Sequence, residues 1–306
     1  IAKHRPDDVY VEWSVNEKAA MELAAGASYA GARSMVTMKQ VGLNVASDPL
    51  MSLEYVGIKG GMVILVADDP GPISSQTEQD TRHFSRFSKL PCFDPSSAQE
   101  AYEMIQEAFE YSEKYGTPVF LRPTTRVCHG YASIMVKDET EYTHHQPEGF
   151  IKDSKRWVIF PRLSFMNHKK IEARNQELSD IFSSYEKNTI HPSCDAFKDS
   201  KKGIATGGIS YTYTMETLKK TGMVKTLKIA TPHPFPEKLA VDFLSELDEV
   251  LCLEELDPVI ERELIYICGK YHLPTRINGK LSGHTACAGE NTRDTITTYI
   301  LSLIHI

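Results

Sequence analysis

Most signatures by which a sequence declares its chemistry are missing from this 306-residue chain. It has no G-x-x-x-x-G-K-[S/T], no G-x-G-x-x-G behind a strand, no G-x-S-x-G and no H-E-x-x-H. P-loop phosphate binding, the dinucleotide fingerprint, the hydrolase nucleophile elbow and the zinc-protease helix are thereby excluded. The cysteines Cys92, Cys128, Cys194, Cys252, Cys268 and Cys287 never form a C-x-x-C pair. Neither a zinc site nor a cysteine-ligated iron–sulfur cluster is therefore written in this stretch. The eleven histidines show no metal-ligand spacing, and His144-His145 reads as an exposed loop pair, so no metal residue is assigned. Apolar runs such as residues 62–67 are far too short to span a bilayer. No basic stripe is present, and the net charge is −7 with a pI near 5.9, which argues against nucleic acid as a partner. No charged-then-apolar leader opens the chain, and scattered single cysteines suit a reducing interior, so a cytoplasmic location is expected.

What remains is an ordinary soluble composition, 41% hydrophobic and 25% charged, at a length that suggests two domains. The chain starts at Ile1 rather than Met. Residues 301–306 match the translation of an adaptor used in sequencing libraries and are set aside from the fold. The expectation is a piece of a longer protein.

To about residue 135, strand and helix patterns alternate. Residues 9–13 read as a strand, 16–31 as a helix, 34–38 as a strand, 44–58 as a helix and 62–67 as a strand buried on both faces. Residues 75–88 read as helical. Ser97 and Glu100 form a capping box opening a helix that Gly116 closes, and 119–121 is a further strand. Such alternation predicts an α/β fold, a parallel sheet with helices on both faces. Residues 136–200 are polar and read as a linker arm with a helix near 165–186. Alternation resumes with strands at 204–206, 224–229 and 250–253 and helices at 213–221, 234–247 and 259–271, a smaller second α/β domain. Residues 275–300 carry no clear element.

Ligands of parallel sheets bind beyond the carboxyl ends of the strands, and here those ends are polar. Lys39, Gln40 and Asn44 follow the second strand. Asp68, Asp69 and the run 74–80, with Gln76 and Glu78, follow the third, and Arg122, Thr124, Thr125 and Arg126 follow 119–121. Each cluster alone reads as a solvated loop; together they point to a site. The helix after residue 16 holds nine Ala or Gly among residues 19–32, small enough for another backbone to approach closely. Glu17 stands in its first turn. It is either an acid placed against the helix dipole or a partly desolvated functional carboxylate.

Several runs resemble the alpha subunits of the indolepyruvate:ferredoxin oxidoreductase family. They are Glu12-Trp-Ser-Val-Asn-Glu-Lys18, Ala24-Ala-Gly-Ala-Ser-Tyr-Ala-Gly-Ala-Arg33, Met38-Lys-Gln-Val-Gly-Leu-Asn44, Ala67-Asp-Asp-Pro70 and Ser74-Ser-Gln-Thr-Glu-Gln-Asp80. Thr124-Thr-Arg126, Leu253-Glu-Glu-Leu-Asp-Pro-Val259 and Gly279-Lys280 also fit, and the match spans about residues 9 to 295. The resemblance implies a thiamine diphosphate-binding-fold pyrimidine domain at 1–135, a linker arm at 136–200 and a transketolase C-terminal-like domain at 201–280. Residues 281–300 would lead toward a diphosphate-binding domain beyond the chain, where magnesium and the [4Fe–4S] clusters are expected.

In that family Glu17 matches the carboxylate that hydrogen-bonds N1′ of the cofactor's aminopyrimidine and favours the imino tautomer that deprotonates C2. Arg82 matches a substrate-carboxylate arginine of related pyruvate enzymes, with a helix-surface arginine as the plain alternative. Lys39, Gln40, Asn44, Gln76 and Glu78 are placed along the cofactor cleft by loop position. His83 is open between proton transfer and a structural role. The implied reaction is oxidative decarboxylation of aryl pyruvates to acyl-CoA with ferredoxin as acceptor. A gamma (beta-type) subunit, coenzyme A and the 2-oxo acid are the implied partners, in a dimer of heterodimers, with no nucleic acid and no membrane. A non-oxidative transketolase-like thiamine enzyme and a non-catalytic assembly fragment are the alternatives.

Overall fold

The computed structural model describes residue 3, residues 5–142 and residues 146–304; the His144-His145 pair lies outside the described residues. The first unit runs α1 (Glu17–Tyr29), β1 (Ser34–Lys39), α2 (Gln40–Val56), β2 (Met62–Ala67), α3 (Thr81–Phe87), β3 (Cys92–Phe93), α4 (Ala98–Tyr115), β4 (Val119–Leu121) and α5 (Thr125–Cys128). Its four strands are all parallel, in the order β1-β2-β4-β3. β2 is central, and Met62, Val63, Ile64 and Val66 are fully buried, as a strand covered on both faces requires. Met21, Ala24 and Ala25 of α1 and Leu43, Ala46 and Leu50 of α2 join one apolar cluster with Val36, Ile64 and Val66. The alanines of α1 thus serve close packing inside the chain.

α4 forms as its ends dictate. The Ser97 hydroxyl accepts a hydrogen bond from Glu100 N at 3.2 Å, and Gly116 closes the helix with φ +58, the left-handed region that glycine enters freely. The Glu100 carboxylate turns to Ser96 N and Oγ and meets Lys228 of the second sheet.

An arm carries α6 (Ser154–Trp157) and α7 (Pro161–Phe182) to the second unit. That unit comprises β5 (Thr189–His191), β6 (Lys202–Gly207), α8 (Gly208–Thr221), β7 (Lys225–Ile229), α9 (Glu237–Leu244), β8 (Glu249–Leu253), α10 (Val259–Tyr271), β9 (Arg276–Asn278) and α11 (Arg293–Ile304). Its sheet order is β5-β7-β6-β8-β9, with only β5 antiparallel. The two units share a core: Phe93, Val119 and Met104 of the first pack with Leu178 and Phe182 of α7 and Ala230 beyond β7. Backbone bonds from Cys92 N to His233 O (2.7 Å) and from Asp94 N to Ala230 O (2.8 Å) stitch β3 to the second unit.

Three sequence expectations differ from the fold. Residues 9–13 form no strand: no described strand pairs with them, and Trp13 is fully exposed. Only Thr81–Phe87 of the segment 75–88 is helical; the preceding polar residues bond to β1, α2 and the loop after β2 rather than to a helix ladder. The stretch 275–300, expected to lack elements, holds β9 and most of α11, whose Ile296 and Ile300 are buried in a cluster with Leu251, Leu253 and Leu303. Among the described residues no helix is long and apolar enough to cross a membrane.

Candidate active site

α1 leads back into β1, so its first turn lies over the carboxyl end of that strand, where α2 begins. Asn16 caps α1 by accepting from Ala19 N at 2.9 Å, which fixes where Glu17 emerges. Glu17 is half-buried and lies across Gly42, in the first turn of α2. A Cβ built on Gly42 would stand 2.5 Å from Glu17 Cγ and 2.8 Å from Oε1. Lys39 precedes α2 without giving it a side-chain cap. The carboxylate therefore approaches a positive helix end.

The other expected residues gather at the same edge. Lys39 Nζ donates to Ser74 O and Oγ, both at 2.8 Å. Gln40 Nε2 donates to Thr77 O at 2.9 Å, and Asn44 Nδ2 to Gln79 Oε1 at 2.9 Å. From the other side, Asp69 accepts from Ser74 N (2.8 Å) and from Thr125 Oγ1 (2.7 Å). The loop 74–79 is thus laced between the ends of β1, β2 and β4. Gln76 is exposed on it. Glu78 accepts from Gly71 N (2.9 Å) and from Gly289 N (2.8 Å), tying the loop to the second unit. Gln40 is only 2% exposed, yet among the described residues its Oε1 has no donor, and Thr124 Oγ1, also buried, has no partner. Orphaned buried polar atoms are rare and mark places where something else binds or where free energy is stored.

Arg82 is not on a helix surface, nor is it open to a ligand. Its side chain is 1% exposed. The guanidinium donates to Asp80 through Nε (2.9 Å) and Nη2 (2.6 Å), and to Glu254 through Nη1 (2.7 Å). Nη2 also reaches the carbonyls of Glu255 (2.7 Å) and Asp257 (2.8 Å). Arg122 lies beside it, donating to Asp68 at 2.6 Å and Asp94 at 3.2 Å. Asp68, Asp94, Arg122 and Glu254 each directly follow a strand, so this ionic cluster fills the seam where carboxyl edges of the two sheets meet. Two guanidiniums face four buried carboxylates. Burial lifts Asp68 and Asp94 above the usual carboxylate range. Burial acts on Asp80 too, but the charges of Arg82 and Arg122 outweigh it and hold Asp80 well below that range. His83 is exposed and pairs with Asp257 at 2.8 Å. Asp80, His83 and Asp257 do bring ligand atoms within 4.8 Å of one another, but Arg82 already occupies both oxygens of Asp80.

Sequence reasoning singled out Glu17 and the loop residues but gave no role to Gly42, although it lies inside the run 38–44. Gly42 lay outside the helix expected at 44–58, so the residue order did not mark it as a helical glycine; the structure starts α2 at Gln40.

Comparison with known proteins agrees with this architecture. Residues 1–192 match the family model described as pyruvate flavodoxin/ferredoxin oxidoreductase, thiamine diphosphate-binding. The chain is 42% identical over 277 residues to the indolepyruvate oxidoreductase subunit IorA of Methanothermobacter thermautotrophicus, covering 90% of this chain and 44% of that protein. It is 40% identical to the protein of the same name from Pyrococcus abyssi, covering 89% and 42%. The chain thus spans less than half the length of these curated relatives. Among solved structures, a 2-oxoglutarate:ferredoxin oxidoreductase from Magnetococcus marinus superposes with a TM-score of 0.65 at 16% identity, covering 95% of this chain and 56% of that one. A split-gene transketolase superposes with a TM-score of 0.60 at 14% identity, covering 95% and 82%. At such identities the superpositions carry the fold alone.

Proposed function

The chain belongs to the pyruvate flavodoxin/ferredoxin oxidoreductase family of thiamine diphosphate-binding proteins, and on that premise we propose that it forms the aminopyrimidine-binding side of a 2-oxo acid:ferredoxin oxidoreductase. The proposed reaction is oxidative decarboxylation of aryl pyruvates, indolepyruvate in particular, to acyl-CoA, with ferredoxin taking the electrons. In this reading the diphosphate and magnesium ligands, the [4Fe–4S] cysteines and the gamma-subunit contacts belong to the rest of a cytoplasmic dimer of heterodimers.

The observation that carries the reading is the Glu17 carboxylate, half-buried across Gly42 at the carboxyl edge of a parallel sheet. The residues fit a flat heterocycle bearing N–H groups. The half-buried Glu17 carboxylate is an acceptor for such a group, and the buried Gln40 Oε1 nearby in α2 has no donor among the described residues.

When bound, thiamine diphosphate supplies a carbanion centre and an electron sink for 2-oxo acid decarboxylation. The chain's own part is orientation and proton control. Glu17 accepts a hydrogen bond from the ring nitrogen N1′ and so holds the proton at that atom. Lys39, Gln40 and Asn44 keep the loop 74–79 in place as a wall of the cleft. Arg82 has no part in substrate binding here, because its donors are spent at the seam.

Glu17→Gln in the full-length subunit, assembled with its partner, is the test. The carboxamide keeps the shape and removes the charge. Indolepyruvate-dependent ferredoxin reduction is expected to fall by about 10²-fold or more, with little change in the thermal midpoint. A helix-dipole acid would instead contribute only about 0.3–1 kcal/mol of stability and leave turnover near normal. That outcome would return Glu17 to a purely structural role.

A further inference from the structure

We propose that Gly42 is a positioning residue for Glu17: its missing side chain is what allows the carboxylate to lie across the first turn of α2. This inference rests on the proposed role of Glu17 and adds to it the device that sets the carboxylate's direction.

Gly42 does not cap or turn anything. It is buried within the first turn of a 17-residue helix, and it is not among the glycines with positive φ. At such a position glycine costs roughly 0.5–1 kcal/mol relative to alanine, because its unfolded chain has more freedom to lose. A local reason must offset that cost. The three atoms nearest to a Cβ at this position are Glu17 Cγ at 2.5 Å, Oε1 at 2.8 Å and Cδ at 2.9 Å. All three belong to Glu17, so Glu17 is the side chain that a methyl group at this position would meet first.

The rest of the surroundings narrow what Glu17 can do. The backbone at Glu17 is pinned by the Asn16 cap. Gln40 and Leu43, on either side of Gly42, are buried, and Gln40 is tied to Thr77. The carboxylate arm is the one flexible party in the contact. A methyl group at position 42 would therefore push the arm of Glu17 aside and leave α2 intact. That separates positioning from folding, because alanine is the better helix former and stability has no reason to fall.

Gly42→Ala in the full-length subunit with its partner tests this through three readouts. The thermal midpoint of the cofactor-free protein is expected to stay level or rise. The circular dichroism of bound thiamine diphosphate is expected to shift from the imino toward the amino form of the ring. Turnover is expected to drop by about 10²-fold, the scale of a 1 Å misplacement of a reacting group. In a Glu17→Gln background the same substitution should have little further kinetic effect, since the group it displaces is already inactive.

If Gly42→Ala lowers the thermal midpoint instead, the Glu17→Ala background decides. Loss of the penalty there keeps the contact as its cause, and persistence of the penalty overturns the proposal. Wild-type turnover and dichroism in Gly42→Ala also overturn it, provided Glu17→Gln is inactive. If Glu17→Gln is itself fully active, the function assigned to Glu17 fails, and this inference fails with it.

Discussion

Two groups of charged residues sit at the carboxyl edge of the first sheet, and they are built in opposite ways. At the seam, Arg82, Asp80 and Glu254 are 1–2% exposed, and Arg82 bonds to two carboxylates and two carbonyls. At the edge of β1 and α2, Glu17 is half-buried, Lys39 and Asn44 are exposed, and among the described residues a buried glutamine oxygen has no donor. At the seam Arg82 spends its donors on buried partners and is closed to a ligand, although the buried Arg122 Nη2 has no hydrogen-bond partner among the described residues. At the edge of β1, Glu17 keeps part of its surface accessible, which a binding site needs. Charge density alone does not find function; access to the charged group does.

The largest test of this contrast is Arg82→Met. Removing one partner of a buried ionic cluster leaves uncompensated carboxylates and costs about 3–5 kcal/mol. Denaturant unfolding should show this as a lowered midpoint, whereas Glu17→Gln should cost no more than a helix-end charge contributes, about 0.3–1 kcal/mol. A stable Arg82→Met protein that had lost affinity only for the 2-oxo acid would erase the distinction between seam and cleft.

Glu255 gives a smaller effect. Burial, despite the bond from Asn291 N, raises its pKa to about 7. A folded-state value above the unfolded one means the folded chain holds the proton longer. Stability contributed by the neutral form is therefore present at low pH and lost as pH rises from about 4.5 to about 7. Glu255→Gln should flatten that decline, leaving the variant more stable than the parent at pH 8, relative to pH 5, by about 1–3 kcal/mol. Parallel stability–pH curves for the two proteins would show that the seam carries no such buried acid.

The smallest effect is expected at the cleft wall. Asn44→Ala removes an exposed pair with Gln79 and should change stability by less than about 1 kcal/mol. Its consequence is a weaker hold on the loop 74–79, read as a several-fold rise in the thiamine diphosphate concentration needed for half-maximal activity. A stability loss as large as that of Arg82→Met would make the loop part of the core rather than a wall.

Polar strand ends were readable from the residue order, but their fates were not. Asp68 and Arg122 look in sequence like Lys39 and Asn44, polar residues just past a strand. The first two lie buried at the junction with the second sheet, and the last two face outward. Arg82 illustrates the same gap, because its partner Glu254 stands 172 residues away. Residues 9–13 show the converse. Their apolar pattern is that of a strand, yet no described strand pairs with them.

Local structure was legible in the residue order: the capped helix α4, the buried central strand, the alternation that makes a parallel sheet and the acid at the start of α1. Those features depend on neighbours within a few residues, whose spacing the chain displays directly. That two carboxyl edges meet in an ionic seam, and that Glu17 lies across Gly42, emerged from the folded arrangement alone. Both facts join residues far apart in the chain, and the burial that gives a charge its energetic meaning exists only once those distant parts have come together.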